Sequence, residues 1–172
     1  MTISIRPALP ADVRAIDALV QPLAHEQILL GKDLVAYFEA IQEFIVAIDE
    51  ETGELVGCGA LHVMWEDLAE VRTLATRQDQ RGTGLGHRLL VTLLDRARAL
   101  GLSRVFCLTF ETRFFERHGF TEMAPDGIDP ELYMELLRSP DTGVAEFLDL
   151  ARVKPNTLGN TRMILQLEPS AG

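Results

Sequence analysis

The segment Arg81-Gly82-Thr83-Gly84-Leu85-Gly86 decides the fold of this 172-residue chain. Its three glycines let the backbone approach a ligand closely and turn several N–H groups inward. Apolar residues at helical spacing, such as Leu85, Leu89 and Leu93, predict a helix that begins in this segment. The N-terminus of a helix adds free amides and a positive dipole end, which suits a pyrophosphate. A glycine-rich turn without a ligand is the alternative.

Two observations favour the phosphate-binding interpretation. Between residues 77 and 104 six arginines face two aspartates, a local charge of +4 in a chain of formal charge -10. The competing phosphate motifs also fail, because GxxxxGK[ST] is absent and His87 stands where GxGxxG needs its third glycine. The sequence therefore predicts neither an ATPase loop nor a dinucleotide-binding loop.

Composition excludes several classes of protein. With 47% apolar residues and 24% charged residues, the chain is that of a globular protein. Its 26 acidic against 16 basic residues repel nucleic acid and anionic lipid, so neither is expected as a partner. The apolar runs are short and no secretory signal opens the chain, which predicts a cytoplasmic protein. Cys58 and Cys107 lack CxxC spacing and are expected as reduced core residues, a disulfide being the alternative; no metal-ligand spacing is present.

Residue patterns predict one α/β domain over residues 1–172. Strands are expected at 3–6, 43–48, 55–65, 70–76, 104–110 and 163–167. Short turns join the strands 43–48, 55–65 and 70–76, which should therefore form an antiparallel meander. Gly57 and Gly59 suggest a bulge or a close backbone approach in the third strand. Helices are expected from residue 10 to a break at Pro22, and at 33–42, 85–100, 112–117, 131–137 and 144–148.

The glycine segment resembles a known motif. Arg81–Gly86 fits the R/Q-x-x-G-x-G/A loop of the GCN5-related N-acetyltransferase (GNAT) superfamily, and Phe114–Phe120 resembles its F-[YF]-x-x-x-G-F stretch. The resemblance implies the GNAT fold, an α/β arrangement with a central mixed, mostly antiparallel sheet flanked by helices. It also implies acetyl-CoA as cosubstrate, with no metal.

Within that superfamily the chain is most similar to short, stand-alone amino-acid N-acetyltransferases of the N-acetylglutamate synthase type. Gly57–Leu61 resembles their G-C-A-A-L strand, Glu70–Ala75 their E-I-x-x-L-A strand, and Phe106–Phe110 their L-[ST]-T strand. The segments 22–30 and 153–160 resemble their P-L-x(n)-I-L-V stretch and their tail. The resemblance implies acetyl transfer to the α-amine of L-glutamate, the first step of arginine biosynthesis.

The resemblance also assigns roles to residues. Glu70 is expected as the base, since a free α-amine is mostly protonated at neutral pH, with a solvated carboxylate paired to Arg72 as the alternative. Thr109 offers a hydroxyl that is either catalytic or an ordinary strand threonine. Phe115 occupies the place of a general-acid tyrosine and cannot donate a proton. Cofactor contacts are expected from Leu74, Ala75, Thr76, Arg81, Gly82, Thr83, Gly84, Leu85, Gly86 and His87.

The acceptor carboxylates need cations. The only two lysines, Lys32 and Lys154, fall in segments resembling the acceptor site, and Arg72 and Arg162 are further candidates. The acceptor is expected to be a small-molecule amino acid. Glutamine or another amino acid, a protein or peptide amine, and a non-catalytic acyl-CoA sensor are the alternative functions, and a homodimer is possible.

Overall fold

The computed structural model describes residues 1–26, 32–124, 127–148 and 160–168. The strands of its sheet are β1 (Ile3–Pro7), β2 (Phe44–Asp49), β3 (Leu55–Trp65), β4 (Leu68–Thr76), β5 (Arg104–Thr109), β6 (Thr121–Glu122) and β7 (Thr161–Gln166). The α-helices in the described residues are α1 (Val13–His25), α2 (Leu34–Glu39), α3 (Leu85–Ala99), α4 (Thr112–Glu116), α5 (Pro130–Leu136) and α6 (Thr142–Phe147).

The sheet is mixed and mostly antiparallel, as predicted. Its order is β1-β2-β3-β4-β5-β7-β6, in which β2 to β4 form the expected meander and β1 pairs antiparallel with β2. Only the contact between β4 and β5 is parallel among the described strands, because α3 crosses from one to the other. The crossover places the glycine segment at the end of β4, where α3 begins.

One face of the sheet packs on α3. Six apolar residues of this helix are buried against the strands, so the predicted periodicity is confirmed: Leu85, Leu89, Leu90, Leu93, Leu94 and Ala97. Gly101, with φ at +78°, follows Leu100, the C-cap residue of the helix. Burial of each leucine contributes about 1.5–3 kcal/mol, which fixes the start of α3 against the sheet.

The opposite face carries two separate apolar clusters. One packs α1 and α2 over the first strands and includes Ile16, Tyr37 and Cys58. The other packs α5 and α6 over the later strands and includes Phe106 and Phe147, whose rings stack with centroids 4.0 Å apart. Alternation along β3 and β4 puts His62, Glu70 and Arg72 on this same face, between the two clusters.

The structure corrects three details of the predicted elements. Pro22 lies inside α1, because a proline in the last turn removes only the hydrogen bond to Ala18. The expected helix 33–42 is the shorter α2 followed by a 3₁₀ turn over Ile41–Glu43. The two-residue strand β6 was not predicted, and it pairs with β7 at the edge of the sheet.

Both cysteines are free and buried, as expected for reduced core residues. Burial raises the pKa of the Cys58 thiol to about 12, which makes that sulfur a poor nucleophile. Within the described ranges no helix is long and apolar enough to span a bilayer. The same ranges contain no cluster of three or more His, Cys, Asp or Glu side chains arranged to bind a metal ion.

Candidate active site

The sheet opens at the centre of the molecule. β4 and β5 pair at Leu68–Arg104, Ala69–Val105 and Glu70–Phe106, and the described ladder between them ends there. Beyond Glu70, the β5-facing backbone groups of β4 form an internal edge, to which an extended ligand can add like a strand. Leu74, Ala75 and Thr76, predicted to contact the cofactor, lie along this edge.

A β-bulge changes the direction of β4 beside this opening. Thr73 has a φ of +52°, and the ladder with β3 passes from Ala60–Arg72 to Cys58–Ala75, so Thr73 and Leu74 together oppose Gly59. A Cβ on Gly59 would lie 2.9 Å from Leu93 Cδ1. The close approach predicted at Gly59 is therefore present, whereas the bulged strand here is β4 and not the predicted β3. The bulge reorients the backbone of Leu74 relative to Glu70.

The glycine segment presents amides at the start of α3. Gly82 and Gly84 have φ values of +77° and +87°, and the first helical bond runs from Arg88 N–H to the Gly84 carbonyl. The preceding amides, those of Leu85, Gly86 and His87, therefore have no intrahelical acceptor. This geometry suits an anion such as a pyrophosphate.

Two histidines stand beside these amides. His118 Nδ1 lies 2.8 Å from the Phe114 carbonyl oxygen and therefore carries the proton. His118 Nε2 then accepts from His87 Nδ1 at 2.7 Å. Gly86 faces the Phe114 ring, which a Cβ would meet at 3.5 Å. The stretch around Phe114 thus buttresses the glycine segment.

The local arginine excess is spread along α3 rather than gathered at the glycine segment. Arg77 is paired with Asp79 and Glu54. Arg98 pairs with Asp95 and Arg104 with Asp67, both remote from the first turn of α3. Only part of the +4 charge therefore acts on a ligand there, mainly through the exposed Arg81.

An ion triad of buried Glu70, buried Arg72 and half-buried Asp141 lies in the opening. Arg72 Nε donates to Glu70 Oε2 at 2.6 Å, and its two terminal nitrogens donate to the Asp141 carboxylate at 2.6 and 3.0 Å. Burial alone would lower the pKa of Arg72, but Glu70 and Asp141 outweigh burial and raise it. Glu70 is 5% exposed and is the third residue of β4, so it is not solvated at the end of a strand, but its expected pairing with Arg72 is present.

Lys32 lies next to this triad. The pKa of its ammonium is lowered, mainly by burial and also by the positive charge of Arg72. The carboxylates of Asp141, Glu43 and Glu70 oppose this shift in part. The Lys32 ammonium therefore interacts with the charged groups of this cleft. Arg72 has its donors engaged internally, whereas Lys32 remains a candidate for the acceptor carboxylate.

Three further residues of the cleft were not predicted. Asp141 reaches Arg72 from a position 69 residues along the chain, which no local pattern reveals. His62 is the cross-strand partner of Glu70, and its Nδ1 lies 2.7 Å from Glu43 Oε1. Strand alternation alone places His62 on the face of Glu70, so that signal was present in the sequence.

The other residues considered in the sequence analysis have different surroundings. Thr109 Oγ1 accepts from the Glu111 amide at 2.8 Å, which leaves its hydroxyl proton to donate. Arg162 Nη1 donates to the Phe147 carbonyl at 3.1 Å. Lys154 lies outside the described residues. Phe115 is buried against Phe120 in the core, and its ring has no hydrogen-bond donor that would need a partner there.

Neither tyrosine takes the place of a general acid at Phe115. Tyr37 lies on α2 and is buried in the cluster that α1 and α2 form over the first strands, and burial raises the pKa of its phenol above the usual range. Tyr133 lies on α5 with 38% of its surface exposed.

Comparison with known proteins gives a consistent family assignment. The model of the acetyltransferase (GNAT) family matches residues 17–120. A Mycobacterium tuberculosis protein named amino-acid acetyltransferase is 54% identical over 164 residues, which cover 95% of this chain and 94% of that protein.

Solved structures agree with this assignment. The crystal structure of Rv2747 from Mycobacterium tuberculosis, in complex with CoA and NLQ, superposes with a TM-score of 0.91 at 53% identity, covering 96% of this chain and 99% of the other. N-acetylglutamate synthase from Neisseria gonorrhoeae, complexed with coenzyme A and N-acetyl-glutamate, gives a TM-score of 0.77 at 28% identity over 98% of this chain. This chain spans 36% of the length of that synthase.

Proposed function

Because this chain belongs to the acetyltransferase (GNAT) family, we propose that it transfers the acetyl group of acetyl-CoA to the α-amino group of L-glutamate. In that role it is an N-acetylglutamate synthase and performs the first step of arginine biosynthesis. The observation that carries the proposal is the charged cleft where β4 leaves β5, on the strand that leads into the glycine segment.

Acetyl-CoA fits the two backbone features beside this cleft. The amides before Arg88 suit its pyrophosphate, and the free edge of β4 from Leu74 to Thr76 suits its extended pantetheine arm. The thioester then reaches the opening next to Glu70. A backbone N–H near Leu74 is proposed to stabilise the oxyanion that forms on the thioester carbonyl.

The acceptor half of the reaction uses side chains of the cleft. The amine nitrogen attacks the thioester carbonyl carbon, the carbon–sulfur bond breaks, and the thiolate leaves. Glu70 is proposed as a base for the amine, and Lys32 as the cation that binds an acceptor carboxylate. The Thr109 hydroxyl is proposed to donate a hydrogen bond to the leaving thiolate, which needs little help because a thiol has a pKa near 8.5.

The segment after Phe120 supports a small acceptor over a polypeptide. Asp141, at the start of α6, bonds to Arg72 and holds α5 and α6 over this part of the sheet. A protein substrate would have to enter beside this acidic segment. An amino acid needs only the space between the two apolar clusters.

Glutamine is the second candidate acceptor. Among the described charged groups of the cleft, Lys32 and Arg72 face the three carboxylates of Glu43, Glu70 and Asp141. A second acceptor carboxylate adds to this negative excess, whereas an amide does not. The buried Glu43 Oε2 has no hydrogen-bond partner among the described residues and would accept from an amide.

A thiol-release assay with acetyl-CoA and each of the twenty common amino acids tests the proposal. Glutamate is expected to give the highest kcat/KM. Glu70→Gln should lower kcat by roughly a hundredfold, while Glu39→Gln, an exposed carboxylate on α2, serves as the matched control. Thiol release with none of the amino acids would contradict the proposal, and a higher kcat/KM for glutamine would replace glutamate with the second candidate.

A further inference from the structure

Acetylation of an amino acid removes two protons from one nitrogen. The α-ammonium must lose the first before its lone pair attacks the thioester, and the new N–C bond expels the second. The leaving thiolate takes up one proton, so each turnover sends one proton out of the site. The Glu70 carboxylate takes up one proton at a time, so a second proton-accepting group would serve the reaction.

His62 is placed to be that second acceptor. It lies directly opposite Glu70 in the β3–β4 ladder, where cross-strand Cβ atoms are about 5 Å apart. Cys58 and Ala60, on the same face of β3, belong to the cluster under α1 and α2, while Met64 packs on the cluster under α5 and α6. His62 thus stands between the two clusters, within the cleft.

Glu43 fixes the tautomer of this imidazole. Its Oε1 lies 2.7 Å from His62 Nδ1, and a carboxylate only accepts, so Nδ1 carries the proton and Nε2 has a free lone pair. A carboxylate on one ring nitrogen also stabilises the imidazolium that forms when the other nitrogen takes a proton. Glu43 Oε2 is buried and has no hydrogen-bond partner among the described residues, so no second donor there competes with His62 for this carboxylate.

The other charged groups around His62 come from three directions. Glu70 and Arg72 lie on β4 and are paired with each other. Asp141 extends from the start of α6 to Arg72, and Lys32 precedes α2. Since Arg72 bonds to both Glu70 and Asp141, the Glu43–His62 pair is the proton-accepting unit that this guanidinium does not engage.

From this geometry we infer that His62 takes the first proton from the acceptor α-ammonium, with Glu43 as its positioning residue. The inference rests on the proposed acetyl transfer. The proton moves from the ammonium to Nε2, and the freed lone pair attacks the thioester carbonyl carbon. The second proton passes to Glu70 and then to the thiolate, while His62 returns its proton to solvent.

His62→Gln provides the test, because glutamine can still donate to Glu43 but cannot take a proton. At about pH 7, kcat with saturating substrates should fall roughly a hundredfold, with unchanged calorimetric affinity for acetyl-CoA. At about pH 10, where much more of the acceptor amine is already neutral, the deficit should shrink to about tenfold or less. Each rate is divided by the wild-type rate at the same pH, so that shared effects on Lys32 cancel.

Glu43→Gln should lower kcat by about tenfold and recover in the same way, because it acts on the same proton. His25→Gln, an exposed histidine at the end of α1, is the matched control. His62→Asn replaces His62→Gln if the latter loses acetyl-CoA affinity. Full activity of the His62 variant at neutral pH, or a deficit that stays equal at alkaline pH, overturns the inference alone. A wild type that acetylates no amino acid overturns both the inference and the proposed function.

Discussion

The surroundings of Lys32 favour the neutral form of its amine. Burial and Arg72 lower the pKa of its ammonium, whereas an acceptor carboxylate would favour the charged form. Lys32→Met keeps the aliphatic stem and removes the charge. Loss of a charge-assisted hydrogen bond costs about 1.5–3 kcal/mol, so the acceptor KM should rise roughly tenfold to a hundredfold. Steady-state kinetics would measure this, with the KM for acetyl-CoA nearly unchanged.

The pH dependence of this effect has a definite sign. A lysine with a lowered pKa loses its charge earlier as the pH rises, so the wild-type acceptor KM should increase in the alkaline range. The Lys32→Met variant should lack that increase. Arg14→Met, which removes an exposed cation from α1, is the control and should keep the wild-type profile. A Lys32→Met enzyme with wild-type KM for both glutamate and glutamine would remove Lys32 from the site.

Single residues of the cleft were predictable when a local pattern marked them. Glu70 was found through its resemblance to a known strand and His62 was missed, although both stand on one face of adjacent strands. Asp141 and Gly143 were beyond reach, because their role depends on contacts with a residue far away in sequence. A Cβ on Gly143 would lie 2.7 Å from Arg72 Nη2, a restriction that exists only in the folded molecule.

At the scale of elements, hydrophobic periodicity predicted the helices and strands whose position is set by burial against a core. The leucine spacing of α3 and the apolar run of β5 match the structure within a residue or two, because both are buried against one core. The helix break predicted at Pro22 was wrong, because the energetic cost of a proline depends on its position in the helix and Pro22 lies in the last turn of α1. The insertion of β7 between β5 and β6 joins distant segments, which strand patterns do not order.

The glycine segment allows a sharp test at this scale. Gly84 has a φ of +87° and no atom within 4 Å of a built Cβ, so Gly84→Ala meets backbone strain of about 1–2 kcal/mol but no clash within the protein. A ligand phosphate drawn close to this backbone would meet the new methyl group. We therefore expect acetyl-CoA affinity to fall by about tenfold or more, measured by titration calorimetry.

Gly53→Ala is the matched control for that variant. Gly53 has a φ of +73°, also with nothing within 4 Å, in the turn between β2 and β3. Both variants should lose similar stability in thermal unfolding, and only Gly84→Ala should lose affinity. Equal affinity of the two variants for acetyl-CoA would show that the glycine segment is a structural turn and not a phosphate site.

At the scale of the whole molecule, the charged cleft exists because one face of the sheet has two apolar clusters rather than one. The cluster under α1 and α2 and the cluster under α5 and α6 leave the central strands to polar groups. Arg72 joins the two sides of this gap, since it lies on β4 and bonds to Asp141 at the start of α6. Because the chain has a strong net negative charge, -10 overall, an anionic acceptor would need a local cation that is not already paired, and Lys32 is the candidate.

Asp141→Asn tests how far this contact holds α6 to the sheet. Arg72 outweighs burial and lowers the pKa of Asp141 below its ordinary 3.8, so its stabilisation is present above that pH and is lost as the pH falls. Asparagine keeps the cap on the Val144 amide, and urea unfolding at about pH 7 should therefore report only the weakened Arg72 contact, about 1–3 kcal/mol. Glu135→Gln, which breaks an exposed pair with Arg138, should change stability by less than about 0.5 kcal/mol. The difference between wild type and Asp141→Asn should narrow below about pH 4, and a difference that is independent of pH would assign the loss to packing instead of charge.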